Sequence, residues 1–192
     1  VISHSEDKQQ AEIFAKKDVE KLCNILGGLV YGFDGDSLAE VVGKKLLLDK
    51  KTLALAESCT GGLIAKQITD TPGSSGYFKC GWITYGNEAK ISQLGVKEEL
   101  IEKFGAVSAE VASAMAAGAR EKSGADFAAA LTGIAGPGGG SEQKPVGLVY
   151  ISIASEKGVE TEKFLFGPRD RDFIRQRTCQ TALNLLRLKL GI

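Results

Sequence analysis

The chain has 192 residues, 43% hydrophobic and 25% charged, which is typical of one globular domain with room for a terminal appendage. Lysine plus arginine and aspartate plus glutamate both number 24, and this balance argues against a surface that neutralises many nucleic-acid phosphates. The four cysteines are far apart and form no Cys-x-x-Cys pair. This spacing disfavours a disulfide framework or a zinc site and fits a reducing compartment.

The sequence also limits where the protein acts and what chemistry it uses. It shows no signal-peptide pattern and no apolar run of the roughly 20 residues that a membrane helix needs. We therefore expect a soluble, cytoplasmic protein with no membrane partner.

The single histidine is His4, in a polar N-terminal stretch, so neither a histidine-based triad nor a histidine-rich metal site is expected. No metal or cofactor is expected.

The first part of the chain predicts two helices. Residues 5–26 carry apolar side chains near the helical period, and glycines 27 and 28 end the pattern. Ser37 is a good N-cap residue for the next helix. We divide the chain into an N-terminal helical extension or connector, residues 1–36, and a main domain, residues 37–192.

The main domain alternates strands and helices before it ends in a hairpin and a helix. Strands are predicted at 52–57, 77–85, 126–131, 147–154 and 159–166. Helices are predicted from the turn 58–62 to residue 69, from an Asn87 cap to 94, at 109–122 after a Ser108 cap, and at 172–190. This order predicts an α/β fold: a three-layer α/β/α domain with a mixed, mostly parallel sheet.

Two glycine-rich turns, 58–62 and 132–140, each follow a predicted strand. In open α/β sheets, ligands bind beyond the carboxyl ends of strands, and glycine lets the backbone approach them closely. Both turns also carry hydroxyl groups, so we favour a ligand site over two ordinary turns. Neither turn matches the dinucleotide fingerprint or the P-loop, which disfavours a dehydrogenase or an NTPase.

Ser58 lies at a strand-to-helix junction, where a nucleophile would be exposed. A nucleophilic serine needs a partner that takes its proton, and without a usable histidine the candidates are a lysine of lowered pKa or a tyrosine. Lys90 and Tyr85 supply both types, and spacing does not decide between them. Cys59 is the rival nucleophile, because a thiol at a helix start can have a lowered pKa; the alternative for Cys59 is a small buried residue.

Three arginines surround the start of the last helix, at 169, 171 and 175. Arg171 and Arg175 are four residues apart and share a helical face. Guanidinium groups suit a phosphomonoester, and the alternative is a salt-bridge cluster with Asp170 and Asp172.

Six segments, in order along the chain, resemble the CinA carboxy-terminal domain family. They are AESCTGG at 56–62, TDTPGSS at 69–75, ITYGN at 83–87 followed by Lys90, GAVSAEVA at 105–112, TGIAGPGG at 132–139 and KPVG at 144–147. The resemblance runs from about residue 38 to 188. Members of the CinA carboxy-terminal domain family are nicotinamide-mononucleotide deamidases, found alone or fused behind a larger nucleotide-hydrolysing domain. The resemblance therefore implies hydrolysis of this mononucleotide to nicotinate mononucleotide and ammonia.

The resemblance also implies roles for individual residues. Ser58 would be the nucleophile, and Tyr85 and Lys90 would activate it and shuttle protons. The substrate-binding residues implied are Thr60, Gly61 and Gly62 in the turn that receives the carbonyl oxygen, Thr132, Gly133, Gly136 and Gly138 against the ligand, and Arg171 and Arg175. The family's last motif has glycine where this chain has Arg169, and its usual Gly-Gly before Tyr85 is Cys80-Gly81 here.

A second hypothesis is that the chain is a non-catalytic nucleotide-binding or regulatory module, related to DNA uptake or damage responses as the family's name suggests. A third is an amidase that uses Cys59. The retention of Ser58, Tyr85 and Lys90 favours the deamidase. The small residues of the helix at 109–122 are compatible with a subunit interface, and a homo-oligomer is expected.

Overall fold

The structure is a computed structural model that describes residues 2–192. Its helices are α1 Lys8–Leu26, α2 Leu38–Leu48, α3 Leu63–Thr69, α4 Asn87–Leu94, α5 Glu98–Phe104, α6 Ala109–Ser123 and α7 Arg171–Lys189. Its strands are β1 Leu53–Glu57, β2 Phe78–Ile83, β3 Phe127–Gly133, β4 Leu148–Ser155 and β5 Gly158–Leu165. Short 3₁₀ turns occupy Gly27–Leu29 and Ser74–Gly76.

The five strands form one sheet in the order β2-β1-β3-β4-β5. Strand β1 pairs in parallel with both β2 and β3, whereas β4 is antiparallel to β3 and to β5. Strand β5 therefore runs in the same direction as the first three, and β4 alone is reversed. The predicted mixed, mostly parallel sheet is confirmed.

Strand β1 explains why helices cover both faces of the sheet. All five of its residues are buried, and successive side chains of a strand point to opposite faces. Leu53 and Leu55 join the core beneath α2, α3 and α7, while Ala54 and Ala56 join the core beneath α4, α5 and α6. The structure is thus the three-layer α/β/α arrangement predicted, with the smaller side chains of β1 facing α6.

Local sequence signals account for the helices, except that one cap was misplaced and one helix was not predicted. Ser37 and Glu40 form a capping box at the start of α2, and the Ser108 hydroxyl accepts a hydrogen bond from the Val111 amide of α6. Asn87 was predicted as the cap of α4, which is wrong: Gly86 is the N-cap and Asn87 is the first helical residue. Helix α5 was not predicted, because it is seven residues long and buries one side chain, that of Ile101.

The N-terminal helix packs differently from the others. The helix predicted over residues 5–26 is present as α1, which begins at Lys8 rather than at residue 5, and none of its residues is buried. The segment after it is joined to α7 by Arg187, whose guanidinium donates to the carbonyl oxygens of Gly28 and Ile192 at 2.7 and 2.6 Å. The division between residues 1–36 and 37–192, and the homo-oligomer, stay predictions.

Candidate active site

The carboxyl ends of the three parallel strands β1, β2 and β3 meet at one edge of the sheet, as parallel pairing requires. A cavity of about 220 Å³ lies there. It is lined by Ser58, Cys59, Tyr85, Lys90, Ala106, Val107, Thr132, Gly133, Ala135 and Arg171. The three residues predicted as catalytic therefore share one cavity.

Lys90 is a buried amine that contacts Ser58 directly. Its side chain reaches back from the second turn of α4, and its Nζ lies 3.2 Å from Ser58 Oγ. The residue is only 1% exposed, and among residues 2–192 it forms no salt bridge with a carboxylate. Burial lowers the pKa of Lys90 below its ordinary value, because removing an ammonium from water disfavours the charged form.

Lys90 Nζ contacts three oxygen atoms, to all of which an ammonium can donate, and a neutral amine can serve the same three. Besides Ser58, Nζ lies 2.8 Å from the carbonyl oxygen of Thr84 and 3.3 Å from that of Tyr85. A neutral amine has two N–H donors and one lone pair, so it can donate to both carbonyls while the lone pair accepts the Ser58 hydroxyl proton. This geometry suits a serine whose proton is taken by lysine.

A buried carboxylate, that of Glu57, holds the turn that contains Ser58. Glu57, 1% exposed, accepts hydrogen bonds from the amides of Gly62 and Ala65 at 2.8 and 3.0 Å, and a longer one from Ile64. A carboxylate at the start of α3 complements the unpaired amides there. The Ser58 amide donates to Leu131 O of β3 at 3.0 Å, so the turn is tied to two strands and one helix.

The predicted carbonyl-binding residues of this turn bond mainly within it. The Gly61 amide donates to Ser58 O at 3.2 Å, and that of Gly62 donates to Glu57. Gly62 has a φ of 93°, a conformation that favours glycine. Thr60 is buried, and its hydroxyl has no hydrogen-bond partner within the described chain. Substrate contacts by Thr60, Gly61 and Gly62 stay predictions.

Tyr85 is placed differently from Lys90. Its side chain is 60% exposed, and its hydroxyl accepts a hydrogen bond from Arg171 at 2.8 Å. The backbone carbonyl of Tyr85, not its phenol, contacts the Lys90 amine. The structure therefore assigns the contact with Ser58 to Lys90 and places the Tyr85 phenol in the cavity wall beside Arg171.

The two arginines of α7 have separate partners. Arg171 lines the cavity and donates to Gly136 O at 2.9 Å as well as to Tyr85. Arg175 donates through Nε and Nη2 to Thr60 O at 3.3 and 2.6 Å. Arg171 thus bridges two walls of the cavity, whereas Arg175 holds the turn that carries Ser58. The sequence also allowed a salt-bridge cluster of these arginines with Asp170 and Asp172. That cluster is not observed, because neither arginine pairs with an acidic residue among residues 2–192.

The second glycine-rich loop supplies another wall. The Thr132 hydroxyl donates to Ala106 O at 2.9 Å, and Gly133 lines the cavity. Gly136 contributes its carbonyl to Arg171. Gly138 is exposed and does not line the cavity. Contacts of these residues with a ligand stay predictions.

The structure adds residues for which the sequence indicated no role. Ala106 and Val107 form the wall between α5 and α6, and Glu57 supports the Ser58 turn. The segment 105–112 was recognised by resemblance, yet nothing in small apolar residues indicates a cavity wall. The signal for Glu57 was available, since an acidic residue before a strand-to-helix turn is suited to accept helix amides.

Cys59 is unsuited to nucleophilic attack. It is 6% exposed and belongs to the core beneath α3 and α7. Burial raises the pKa of the Cys59 thiol to about 12, so the thiolate that reacts is scarce at neutral pH. Of the two adjacent candidates, Ser58 has the activating neighbour.

Other features of the described chain lie away from this cavity. A larger cleft of about 500 Å³ is lined by residues at the opposite end of the sheet, among them Lys51, Asp126 and Lys189. Ion pairs join Lys51 to Asp126 and Lys189 to Glu160 in this cleft. The cleft holds none of the residues predicted as catalytic, so the smaller cavity is the better candidate for chemistry. Residues 2–192 contain no cluster of three or more potential metal ligands. None of the described helices has the length and apolarity to cross a membrane.

Comparisons with known proteins agree with one another. The family model described as the CinA C-terminal domain matches residues 35–190. A CinA-like protein of Endomicrobium trichonymphae is 52% identical over 183 residues, covering 93% of this chain and 42% of that protein. A CinA-like protein of Geotalea daltonii is 54% identical over 171 residues, covering 89% of this chain and 41% of that protein. The chain spans about two-fifths of the length of these two relatives.

Solved structures show the same likeness. The competence/damage inducible protein CihA from Agrobacterium tumefaciens is 42% identical, with a TM-score of 0.76, covering 84% of this chain and all of that one. The competence damage-inducible protein A from Klebsiella pneumoniae is 31% identical, with a TM-score of 0.77, covering 80% of this chain and 95% of that one. The chain belongs to the CinA C-terminal domain family.

Proposed function

We propose that the chain is an amidohydrolase that converts nicotinamide mononucleotide and water to nicotinate mononucleotide and ammonia. The observation that carries the proposal is the 3.2 Å contact between Ser58 Oγ and the amine of Lys90, buried and without a carboxylate partner in the described chain. A serine beside such an amine is one of the pairings that carry out acyl transfer without imidazole. The substrate is the one implied by the resemblance to the deamidase family.

The first half of the reaction forms an ester on Ser58. The neutral Lys90 amine takes the Ser58 hydroxyl proton as Oγ attacks the carboxamide carbon. The resulting tetrahedral intermediate collapses when its C–N bond breaks, and the proton on Lys90 passes to the departing nitrogen, which leaves as ammonia. Lys90 thus ends this half neutral again, ready for a second proton transfer.

The second half consumes one water molecule. Lys90 takes a proton from water as the water oxygen attacks the ester carbon. The ester C–O bond then breaks, the proton on Lys90 returns to Ser58 Oγ, and the carboxylic acid is released and loses its proton to solvent. Each half moves one proton through the same amine.

The cavity suits a planar ring better than a whole nucleotide. At about 220 Å³ it is below the range of sites that enclose drug-sized molecules. In this proposal the carboxamide ring enters between Thr132, Gly133 and Ala106, and the ribose phosphate stays at the rim. The exposed guanidinium of Arg171 is the rim group suited to the phosphate.

The test is ammonia release from nicotinamide mononucleotide in a coupled assay. We expect Ser58→Ala to lower turnover by at least about a thousandfold, as loss of a nucleophile does in serine hydrolases. The matched control is Ser92→Ala, an exposed serine of α4 whose hydroxyl bonds within its own helix. Full activity in Ser58→Ala would exclude Ser58 as the nucleophile, and loss in Cys59→Ser alone would favour the thiol.

The same assay separates catalysis from binding. A nucleotide-binding module would raise its melting temperature with the mononucleotide yet release no ammonia. That outcome in the unmodified protein would overturn the proposed activity.

A further inference from the structure

The turn between α5 and α6 presents four consecutive carbonyl oxygens to side-chain donors. Those of Phe104, Gly105, Ala106 and Val107 each accept a hydrogen bond from a side chain. The donors are Lys144 for the first and last, Ser108 for the second and Thr132 for the third. The last carbonyls of a helix lack partners within it, so side-chain donors there restrain the backbone.

Lys144 makes two of these four bonds with one ammonium group. Its Nζ lies 2.6 Å from Phe104 O and 2.8 Å from Val107 O. Gly105, with a φ of 75°, leaves the necessary space, since a β-carbon there would lie 2.9 Å from the same nitrogen. Lys144 forms no salt bridge with a carboxylate of residues 2–192. Its charge is therefore directed at the backbone of this turn.

The two segments that Lys144 joins both contribute to the lining of the cavity. The turn contributes Ala106 and Val107, and the loop at 134–147 contributes Ala135. The beginning of that loop is tied to α7 by the bond from Arg171 to Gly136 O, and its end is tied to the turn by Lys144. The reacting pair is held separately, by β1 for Ser58 and by α4 for Lys90.

We propose that Lys144 is a positioning residue that sets the separation between the turn at 104–107 and the loop at 134–147, and thereby the affinity for the substrate. The inference rests on the proposed function for its kinetic consequence. The Lys144 ammonium bonds to Phe104 O and Val107 O and forms no hydrogen bond with Ser58 or Lys90, so its loss widens the cavity without disturbing the proton transfer. Such a residue affects KM much more than kcat.

The test uses Lys144→Met, which keeps the length of the side chain and removes its charge. We expect KM for nicotinamide mononucleotide to rise about tenfold or more while kcat stays within about threefold. Lys144→Arg, which can still donate to both carbonyls, should recover most of the loss. The matched control is Lys163→Met, an exposed lysine of β5 whose side chain forms no hydrogen bond in the described chain. An unchanged KM, or a kcat that falls as much as KM rises, would overturn the proposal.

A second measurement does not depend on the reaction. In Lys144→Met, amide hydrogen exchange should quicken at 104–108 and 134–147 and stay unchanged in α4 and β1. Unchanged exchange, or faster exchange throughout the chain, would show that Lys144 does not position these walls. If the unmodified protein releases no ammonia, the proposed function fails, and exchange still decides whether Lys144 holds the walls together.

Discussion

Gly118 of α6 lies directly against the backbone of Leu94, the last residue of α4. A β-carbon at Gly118 would overlap the carbonyl oxygen of Leu94 and approach its carbonyl carbon to 2.9 Å. Because that neighbour is backbone, it cannot rotate away as a side chain would. The close approach of α6 to α4 therefore depends on a glycine, and α4 is the helix that carries Lys90.

We predict that Gly118→Ala lowers the free energy of unfolding by about 1–3 kcal/mol, the usual cost of overpacking. Because α4 must shift to admit the methyl group, turnover should fall as well. Urea denaturation and the ammonia assay measure the two effects. Gly28→Ala is the control, since a β-carbon there meets nothing within 4 Å. Wild-type stability in Gly118→Ala would show that the helices separate freely.

The pH dependence of the reaction follows from Lys90. Only the neutral amine can accept the Ser58 proton, so kcat/KM should rise with pH through the pKa of Lys90 and then level off. Burial lowers that pKa from its ordinary value of 10.5, so the rising limb should lie below pH 10.5. Initial rates across a buffer series measure it. Lys90→Arg, which stays charged, should be inactive at every pH, and a rate that falls with rising pH over the same range would contradict the scheme.

Arg171 and Arg175 should respond differently to substitution. Arg171→Gln removes the cation that lines the cavity, so KM for the mononucleotide should rise about tenfold with a smaller change in kcat. Arg175→Gln frees the Thr60 carbonyl and loosens the turn that carries Ser58, so kcat should fall about tenfold with a smaller change in KM. Arg177→Gln, an exposed residue of the same helix, is the control. Equal effects of the first two substitutions on KM would mean that both arginines bind substrate.

Asp126 makes stability depend on pH at the other end of the sheet. Burial opposes its charge, but hydrogen bonds from Lys51 and Thr52 prevail and lower the pKa of Asp126 from 3.8 to about 2. A carboxyl whose pKa is lower in the folded state stabilises the protein above pH 3.8 and loses that effect as pH falls towards 2. Because both Asp126 and Lys51 are partly exposed, we discount the effect to about 1 kcal/mol.

Asp126→Asn should therefore lower the free energy of unfolding at pH 7 by about 1 kcal/mol and have a smaller effect near pH 2. Denaturant titrations at the two pH values measure the difference, with the exposed Glu102→Gln as control. A loss of stability that is equal at both pH values would mean that the charge of Asp126 contributes nothing.

The order of helices and strands was predictable because its signals are local. Capping by Ser37 and Ser108 involves residues three positions away, and the strands are marked by runs of apolar residues between turns. The one helix that was missed, α5, is short and buries a single residue. The Asn87 cap was misplaced by one residue, which is the usual uncertainty at a helix end.

The layers, the two glycine-rich turns at one sheet edge and three candidate residues for proton transfer were all predictable from the amino-acid sequence. The three-dimensional packing decided that Lys90, 32 positions from Ser58, contacts the Ser58 hydroxyl, and that the Tyr85 phenol bonds to Arg171, 86 positions away. It likewise decided that Arg175 holds a carbonyl of the turn and that Cys59 is buried. Helix periods and caps depend on neighbours along the chain. Hydrogen-bond partners and a lowered amine pKa depend on which distant groups pack together and on how much water they exclude.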